Sequence, residues 1–403
     1  MRWCDARKRA RWLFLLLAAS MLGGCGTTKE LGKGISKSIG NWMGGEDNSA
    51  PPTPLEEFAP TVAVKQLWST SVGKGTDEQF LKLEPTLVGD RIYTAERRGR
   101  VGVYKSATGQ NIWTTDLDER ISGGPGVGEG LVLVGTSEGE IVALNEADGK
   151  QRWRSAVSSE VLAPPRAASG VVVVHTGDGS ITALDAADGK RLWSYERATP
   201  TLTLRGSSAP LIADDLVIAG FDNGRLVALD IKSGKVEWEA IVAVSTGRSD
   251  LDRMVDIDGE PLRMGDTIYV ATFQGRVAAV SLISGEVRWA RDFSSYAGIA
   301  VDDSYLYLTD ASGVIWAFDR ETGSAVWRQE KLRARAPTAG AIAGDYLVIG
   351  DLEGYLHWLR RSDGQFAARA RVDESRIIAP PVSDGGTVYA YSSDGDLSAF
   401  ASQ

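Results

Sequence analysis

Residues 171–193 read VVVVHTGDGSITALDAADGKRLW. A β-branched run at 171–174 meets a Gly-Asp-Gly turn at 177–179, and a second apolar run with Ile181 and Thr182 follows. An Asp-Gly turn at 188–189 then leads into a short strand that ends on Trp193. Period-two runs broken by turn residues are strand chemistry. The unit recurs along the chain. GRVGVYKSATGQNIW ends at Trp113, GEIVALNEADGKQRW at Trp153, and GRLVALDIKSGKVEW at Trp238. GRVAAVSLISGEVRW ends at Trp289 and GVIWAFDRETGSAVW at Trp327. A seventh copy, GYLHWLRRSDGQFAA, puts Ala368 where the others have Trp, and an eighth, GDLSAF from Gly395, runs off the chain at Gln403.

Most copies are preceded by one more short strand, marked by a proline: Pro85, Pro125, Pro164, Pro210, Pro261, Pro337 and Pro380. Four strands at a period of about 40 residues specify a β-propeller blade. The incomplete eighth copy lacks its last strand, and VAVKQLWSTSV at 62–72, with Trp68, is a strand of that type left over at the other end. Pairing the two closes the ring and removes an open sheet edge. The expectation is an all-β, eight-bladed propeller of four-stranded antiparallel blades over residues 61–403, its last blade closed by the N-terminal strand. A body of this size buries enough apolar surface to need no cross-links.

The first 24 residues read as a targeting signal. MRWCDARKRARW carries Arg2, Arg7, Lys8, Arg9 and Arg11 against Asp5, and an apolar run follows at 13–22. That run is about half the length of a membrane span, and it fits the core of a secretory signal. LGGC at 22–25 resembles the lipobox of bacterial lipoproteins, which implies cleavage before Cys25 and a lipid on its thiol. Gly26 stands where that pattern has Asp for inner-membrane retention, so the resemblance implies the periplasmic face of the outer membrane. Losing Cys4 with the signal leaves no thiol for a disulfide. Removing residues 1–24 takes away a net +4 from a chain of net charge −9, leaving −13. Nucleic-acid binders show a basic patch or stripe, and nothing in this sequence resembles one. Residues 25–60, rich in Gly, Ser and Pro, read as a lipidated flexible tether.

The catalytic inventory is thin. The chain has two histidines, His175 and His357, both at strand positions of the repeat. Zinc and nucleophile sites draw on clustered His or Cys, and no Gly-Lys-Ser phosphate loop or GxSxG elbow occurs. The recurring Asp of ALDAADG and ALDIKSG belongs to turns. The repeat resembles that of pyrroloquinoline-quinone enzymes. One catalytic site cannot require six equivalent tryptophans, however, whereas packing between adjacent sheets can. Those enzymes are longer, often use a vicinal Cys pair and need calcium ligands, and no such Cys pair exists here. The expectation is a protein without enzymatic activity, metal or cofactor other than the lipid.

Function is expected where the spacing breaks, since loops on a rigid frame carry recognition. From each Trp to the next blade's proline takes 12 residues after Trp113, 11 after Trp153 and 10 after Trp327. It takes 17 after Trp193 and 23 after Trp238. Both long connections run from an outer strand to the next inner strand, so they should lie side by side on one face. The first, SYERATPTLTLRGSSAP at 194–210, offers Leu202, Leu204 and Arg205. The second contains SDLDRMVDIDGEP at 249–261, with Asp250, Asp252, Asp256 and Asp258. No ligand set independent of the repeat supports a metal reading of these aspartates, and no other catalytic group supports an acid/base one. Sequence physics leaves two readings open: a protein-binding patch of apolar anchors flanked by charge, or leucines tucked into a blade and aspartates solvating a long loop.

Lipobox, tether, eight repeats, and LTLRG followed by LDRMVDID together resemble the BamB family, the lipoprotein subunits of the outer-membrane β-barrel assembly machinery. The resemblance covers the mature chain. It implies that Leu202, Leu204, Arg205, Asp256 and Asp258 contact a periplasmic POTRA domain of BamA. It also implies indirect association with the other Bam subunits and an edge or surface offered to unfolded outer-membrane proteins by β-augmentation. The alternatives are a periplasmic PQQ-dependent oxidoreductase and a glycan-binding propeller.

Overall fold

A computed structural model describes residues 51–77, 79–197, 208–244, 254–295 and 297–403. The chain divides into Met1–Pro51 and Pro52–Gln403. The signal, Cys25 and most of the expected tether therefore lie outside the described residues.

The second unit is the expected propeller. Eight four-stranded antiparallel sheets follow one another: blade 1 at residues 86–116, blade 2 at 121–156, blade 3 at 166–195 and blade 4 at 211–241. Blade 5 covers 262–293, blade 6 covers 299–329 and blade 7 covers 340–371. Blade 8 joins 382–402 to Val64–Ser71. Among the described residues there is no helix. Strands are lettered a to d from the axis outward. Strands b and c lie between neighbouring sheets, which is why Leu131–Thr136 of blade 2 is buried at every position. Strand d of the same blade, Gln151–Ala156, meets solvent at its edge and alternates. Every blade runs from a to d in the same sense. All d-to-a connections and b–c turns therefore share one face of the ring, and all a–b and c–d turns share the other.

The ring closes as expected. Val64 pairs with Ser402 and Ser71 with Asp396, antiparallel. The borrowed strand reproduces even the irregularity of its counterparts. In blade 3, Ala183 faces Trp193 and Leu184 faces Arg191, leaving Leu192 as an extra residue. At the seam Gln66 faces Phe400 and Trp68 faces Ala399, leaving Leu67 extra. Such a bulge bends the outer strand and strengthens its twist.

The tryptophans join blades. Trp153 Nε1 donates to Ala186 O of blade 3 at 2.9 Å, and its ring lies on Gly189. A Cβ at Gly189 would stand 2.6 Å from the indole, and its φ of +74° already favours glycine. Trp68, Trp113, Trp193, Trp238, Trp289 and Trp327 each make the same bond to the next blade, at 2.8–3.0 Å. The tryptophans are thus packing and hydrogen-bonding elements, and Ala368 now has an explanation. The acceptor for each indole is the c–d turn of the following blade. In blade 8 the outer strand is Val64–Ser71 and does not follow strand c in the chain, so no c–d turn joins them. The space is filled by Val62 and Val64, which pack on Trp358, Ala367, Ala368 and Phe400.

The packed body begins before Thr61. Thr53 N donates to Arg333 O at 3.2 Å, and Thr61 N donates to Ala367 O at 2.9 Å. Between them Leu55 joins an apolar cluster with Tyr307, Trp327 and Leu332. Phe58 stands 5.6 Å from Phe366, with the Arg369 guanidinium 5.1 Å from its ring.

Candidate functional site at the channel mouth

The two long connections meet where they re-enter the disc. Ser208 ends the first, and its Oγ donates to Gly259 O of the second at 3.1 Å. His175, buried on strand b of blade 3, holds this junction: Nδ1 lies 2.8 Å from Ser208 O, so the ring donates there. Its ring packs 5.5 Å from Phe221. Burial holds His175 below the usual imidazole range, against the Ser208 bond, which favours the charged form. Both histidines are thus structural, as expected from the repeat. His357 is wholly buried and bonds Asp351.

Leu202, Leu204 and Arg205 lie outside the described residues, as do Asp250 and Asp252. Asp256 and Asp258 are described, and the structure separates them. Met254, Val255, Asp256 and Ile257 all turn inward, with Asp256 at 0% exposure. Ile257 drives this. It seats against Gly220 of blade 4, where a Cβ would stand 2.2 Å from Ile257 Cγ2. Asp256 O accepts from Phe273 N at 2.8 Å, tying the turn to blade 5. The last part of the connection therefore folds between two blades. Asp256 presents no surface, while Asp258 is half-buried and lines a cavity on the ring axis.

That cavity, about 150 Å³, is walled by residues that precede the inner strands of seven blades, among them Glu84, Pro164, Gly259, Ala297 and Pro380. Its charges come from two d-to-a connections, of which the one entering blade 1, 17 residues from Trp68 to Pro85, is also long. Lys82 and Glu84 belong to the one that enters blade 1, and Asp258 and Glu260 to the one that enters blade 5. Arg166 of blade 3 reaches Glu260 with Nη2 at 2.5 and 2.6 Å from its two carboxylate oxygens. Burial and the Glu260 charge push Glu84 up to about 7, with Lys82 and Arg166 opposing.

Asp222, in the b–c turn of blade 4, completes an acidic group. Burial, then the charges of Asp256 and Asp258, push its carboxyl up to about 7. Burial also raises Asp258, with Lys82 opposing. Among the described residues neither carboxylate oxygen of Asp258 has a hydrogen-bond partner. The site can hold a cation from outside, and the described residues contain no cluster of three or more His, Cys, Asp or Glu placed to ligate a metal. Sequence reasoning missed Lys82, Glu84, Arg166, Asp222 and Glu260. One signal was present: Glu84-Pro85 and Glu260-Pro261 are the same dipeptide before an inner strand, each ending a long connection.

Known proteins share this architecture. The family model described as "Outer membrane protein assembly factor BamB" matches residues 65–123, 97–329 and 322–403. The protein of that name from Pseudomonas aeruginosa is 50% identical over 350 residues, covering 87% of this chain and 92% of the relative. The one from Xanthomonas campestris is 39% identical over 414 residues, covering 99% of each. The crystal structure of BamB from Moraxella catarrhalis superposes with a TM-score of 0.77 at 27% identity, over 84% of this chain and all of that one. Quinohemoprotein alcohol dehydrogenase from Comamonas testosteroni, at 16% identity and a TM-score of 0.64 over 84% of this chain and 76% of its own, shares the fold alone. A ring of eight blades with tryptophan at seven of its junctions, matched along its length at such identities, has one family assignment: the chain belongs to the BamB family of outer-membrane protein assembly factors.

Proposed function

We propose that the chain is a non-enzymatic scaffold lipoprotein, anchored through Cys25 to the periplasmic face of the outer membrane. Through it, the assembly machinery holds a POTRA domain of BamA while barrels fold and insert. The observation that carries this reading is the junction of the two long connections at Ser208 and Gly259, beside Asp222, whose carboxyl is pushed up to about 7 by burial and the charges of Asp256 and Asp258. Leu202 and Leu204 supply apolar anchors. Arg205 and Asp258 supply register and steering, which count for more in specificity than in raw affinity. Asp256 contributes its negative charge from beneath the surface and positions Asp258, two residues on. Other Bam subunits are met indirectly.

The quinone alternative is not favoured. Pyrroloquinoline quinone is a tricarboxylate, and the axial cavity is lined by Glu84, Asp258 and Glu260 against Lys82 alone, while Arg166 beside it is engaged by Glu260. An anion of that charge does not fit this lining. The test of the favoured reading is co-purification of BamA from detergent-solubilised outer membrane with the double variant Arg205→Ala/Asp258→Ala. Recovery should fall while the fold, followed by circular dichroism, is unchanged. Wild-type recovery from a well-folded double variant would sink the site assignment.

A further inference from the structure

The run from Thr53 to Thr61 decides where the chain leaves the disc. Thr61 lies beside Ala367, next to the c–d turn of blade 7 and hence on the face opposite the long connections. Read toward the N-terminus, the run crosses the thickness of the ring. Phe58 is held between Phe366 and Arg369, and Glu56 O accepts from Arg369 Nη1 at 3.2 Å. Glu56 also takes Lys331 Nζ at 2.6 Å. The run ends at Thr53, bonded to Arg333 in the d-to-a connection between blades 6 and 7. Thr53 O accepts from Arg335 Nη1 at 3.1 Å, and Arg335 is itself 2% exposed and bonded to Asp351. The exit is thus clamped by a buried, ion-paired arginine. It lies on the face that carries Ser208, Asp222 and Asp258, two blades round the ring from the connection between blades 4 and 5.

We infer that residues 53–61 are a strap that delivers the membrane tether to the docking face, so that the lipid surface and a docked partner lie on the same side of the disc. This rests on the anchored-scaffold reading above. Lengths show why the strap matters. Without it the chain leaves at Val64, on the far face, and the eight residues Val64–Ser71 span about 27 Å of rim. A random coil of 26 residues, the number from 26 to 51, would have an r.m.s. reach of only about 28 Å. Losing the strap would therefore place the exit about one tether-length away from the face it now serves.

The experiment uses the full lipidated chain in phosphatidylethanolamine/phosphatidylglycerol vesicles that carry nitroxide-labelled lipid as a quencher. A fluorophore is placed on Asp394→Cys, in the exposed b–c turn of blade 8, or on Ala107→Cys, in the exposed c–d turn of blade 1. These neighbouring blades put the labels on opposite faces. Stronger quenching of the Asp394→Cys label is expected, and Leu55→Ser/Phe58→Ser should abolish or reverse the difference. Equal quenching, or stronger quenching of the Ala107→Cys label, with the strap intact overturns the inference whatever the pull-down shows. That arm needs no strap variant, so a misfolded variant cannot protect the idea. Failure to attach to vesicles at all removes the anchor reading, and the strap inference with it.

Discussion

Two groups of buried carboxylates lie on the same face and are treated in opposite ways. In blade 7, Asp351 is wholly buried, yet each of its oxygens is supplied. Oδ2 accepts from Arg335 Nε at 2.8 Å and from His357 Nε2 at 2.9 Å, and Oδ1 accepts from the backbone of Glu353 and Tyr355. Burial pushes this carboxyl up, but the His357 bond and the charges and donors around it carry it below the usual range. Arg369 Nε donates to His357 Nδ1 at 3.3 Å, which leaves the imidazole neutral with its proton on Nε2. At the channel mouth, Asp222 and Asp258 are also taken from water and both are raised, Asp222 by burial and then the charges of Asp256 and Asp258, and Asp258 by burial against the opposing charge of Lys82. The first group is complete within the fold and holds a strap. The second keeps raised carboxyls that its neighbours offset only in part, and a perturbed cluster of that kind supports the proposed docking site.

Breaking the complete group should have the largest effect. Arg335→Ala strands Asp351 with one donor fewer and frees Thr53 O, and removing one partner of a buried pair costs about 3–5 kcal/mol. Urea denaturation measures it, and a loss below about 1 kcal/mol would erase the contrast between the two groups. The seam offers a test of the next size. Ala368→Trp restores the repeat but supplies an indole with no turn to receive it, so overpacking should cost about 1–3 kcal/mol. Stabilisation by that change would show that blade 8 does present an acceptor.

The smallest effect sharpens the comparison from the acidic side. A carboxyl raised in the folded state holds its proton more tightly there than in the unfolded chain, so its contribution falls as pH rises from about 4 to about 7. Asp222→Asn removes that loss. The variant should melt above the parent at pH 8, with a gap that narrows toward pH 5. The buried histidines act with the opposite sign. His175 and His357 are held low chiefly by burial, so the unfolded chain takes up their protons first and stability drops as pH falls below about 6.5. With Asp222→Asn in place, stability should therefore climb more steeply between pH 5 and 7 than in the parent. A parallel climb would show that Asp222 is not raised.

Much of the fold was legible because a propeller is local information repeated. Each unit states its strands, turns and docking tryptophan within about 40 residues, and the unpaired strand around Trp68 could go only to the unpaired strand after Gly395. The spacing of Trp193 to Pro210 and of Trp238 to Pro261 likewise marked the two connections whose ends do meet, at Ser208 and Gly259. The site was legible only in part. Asp256 and Asp258 are two residues apart and look equivalent, yet one is wholly buried and the other lines the axial cavity.

The sequence by itself determined the number of blades, the closure of the ring and the family, since each follows from pattern and period. Only the tertiary structure decided why Ala368 replaces a tryptophan, which aspartate is buried, and that residues 53–61 strap the chain across the ring to the face of the long connections. Each of those depends on what stands across a junction: a missing turn, a glycine in the neighbouring blade, a buried arginine nearly three hundred residues away. Contacts of that kind have no period, so no local pattern announces them.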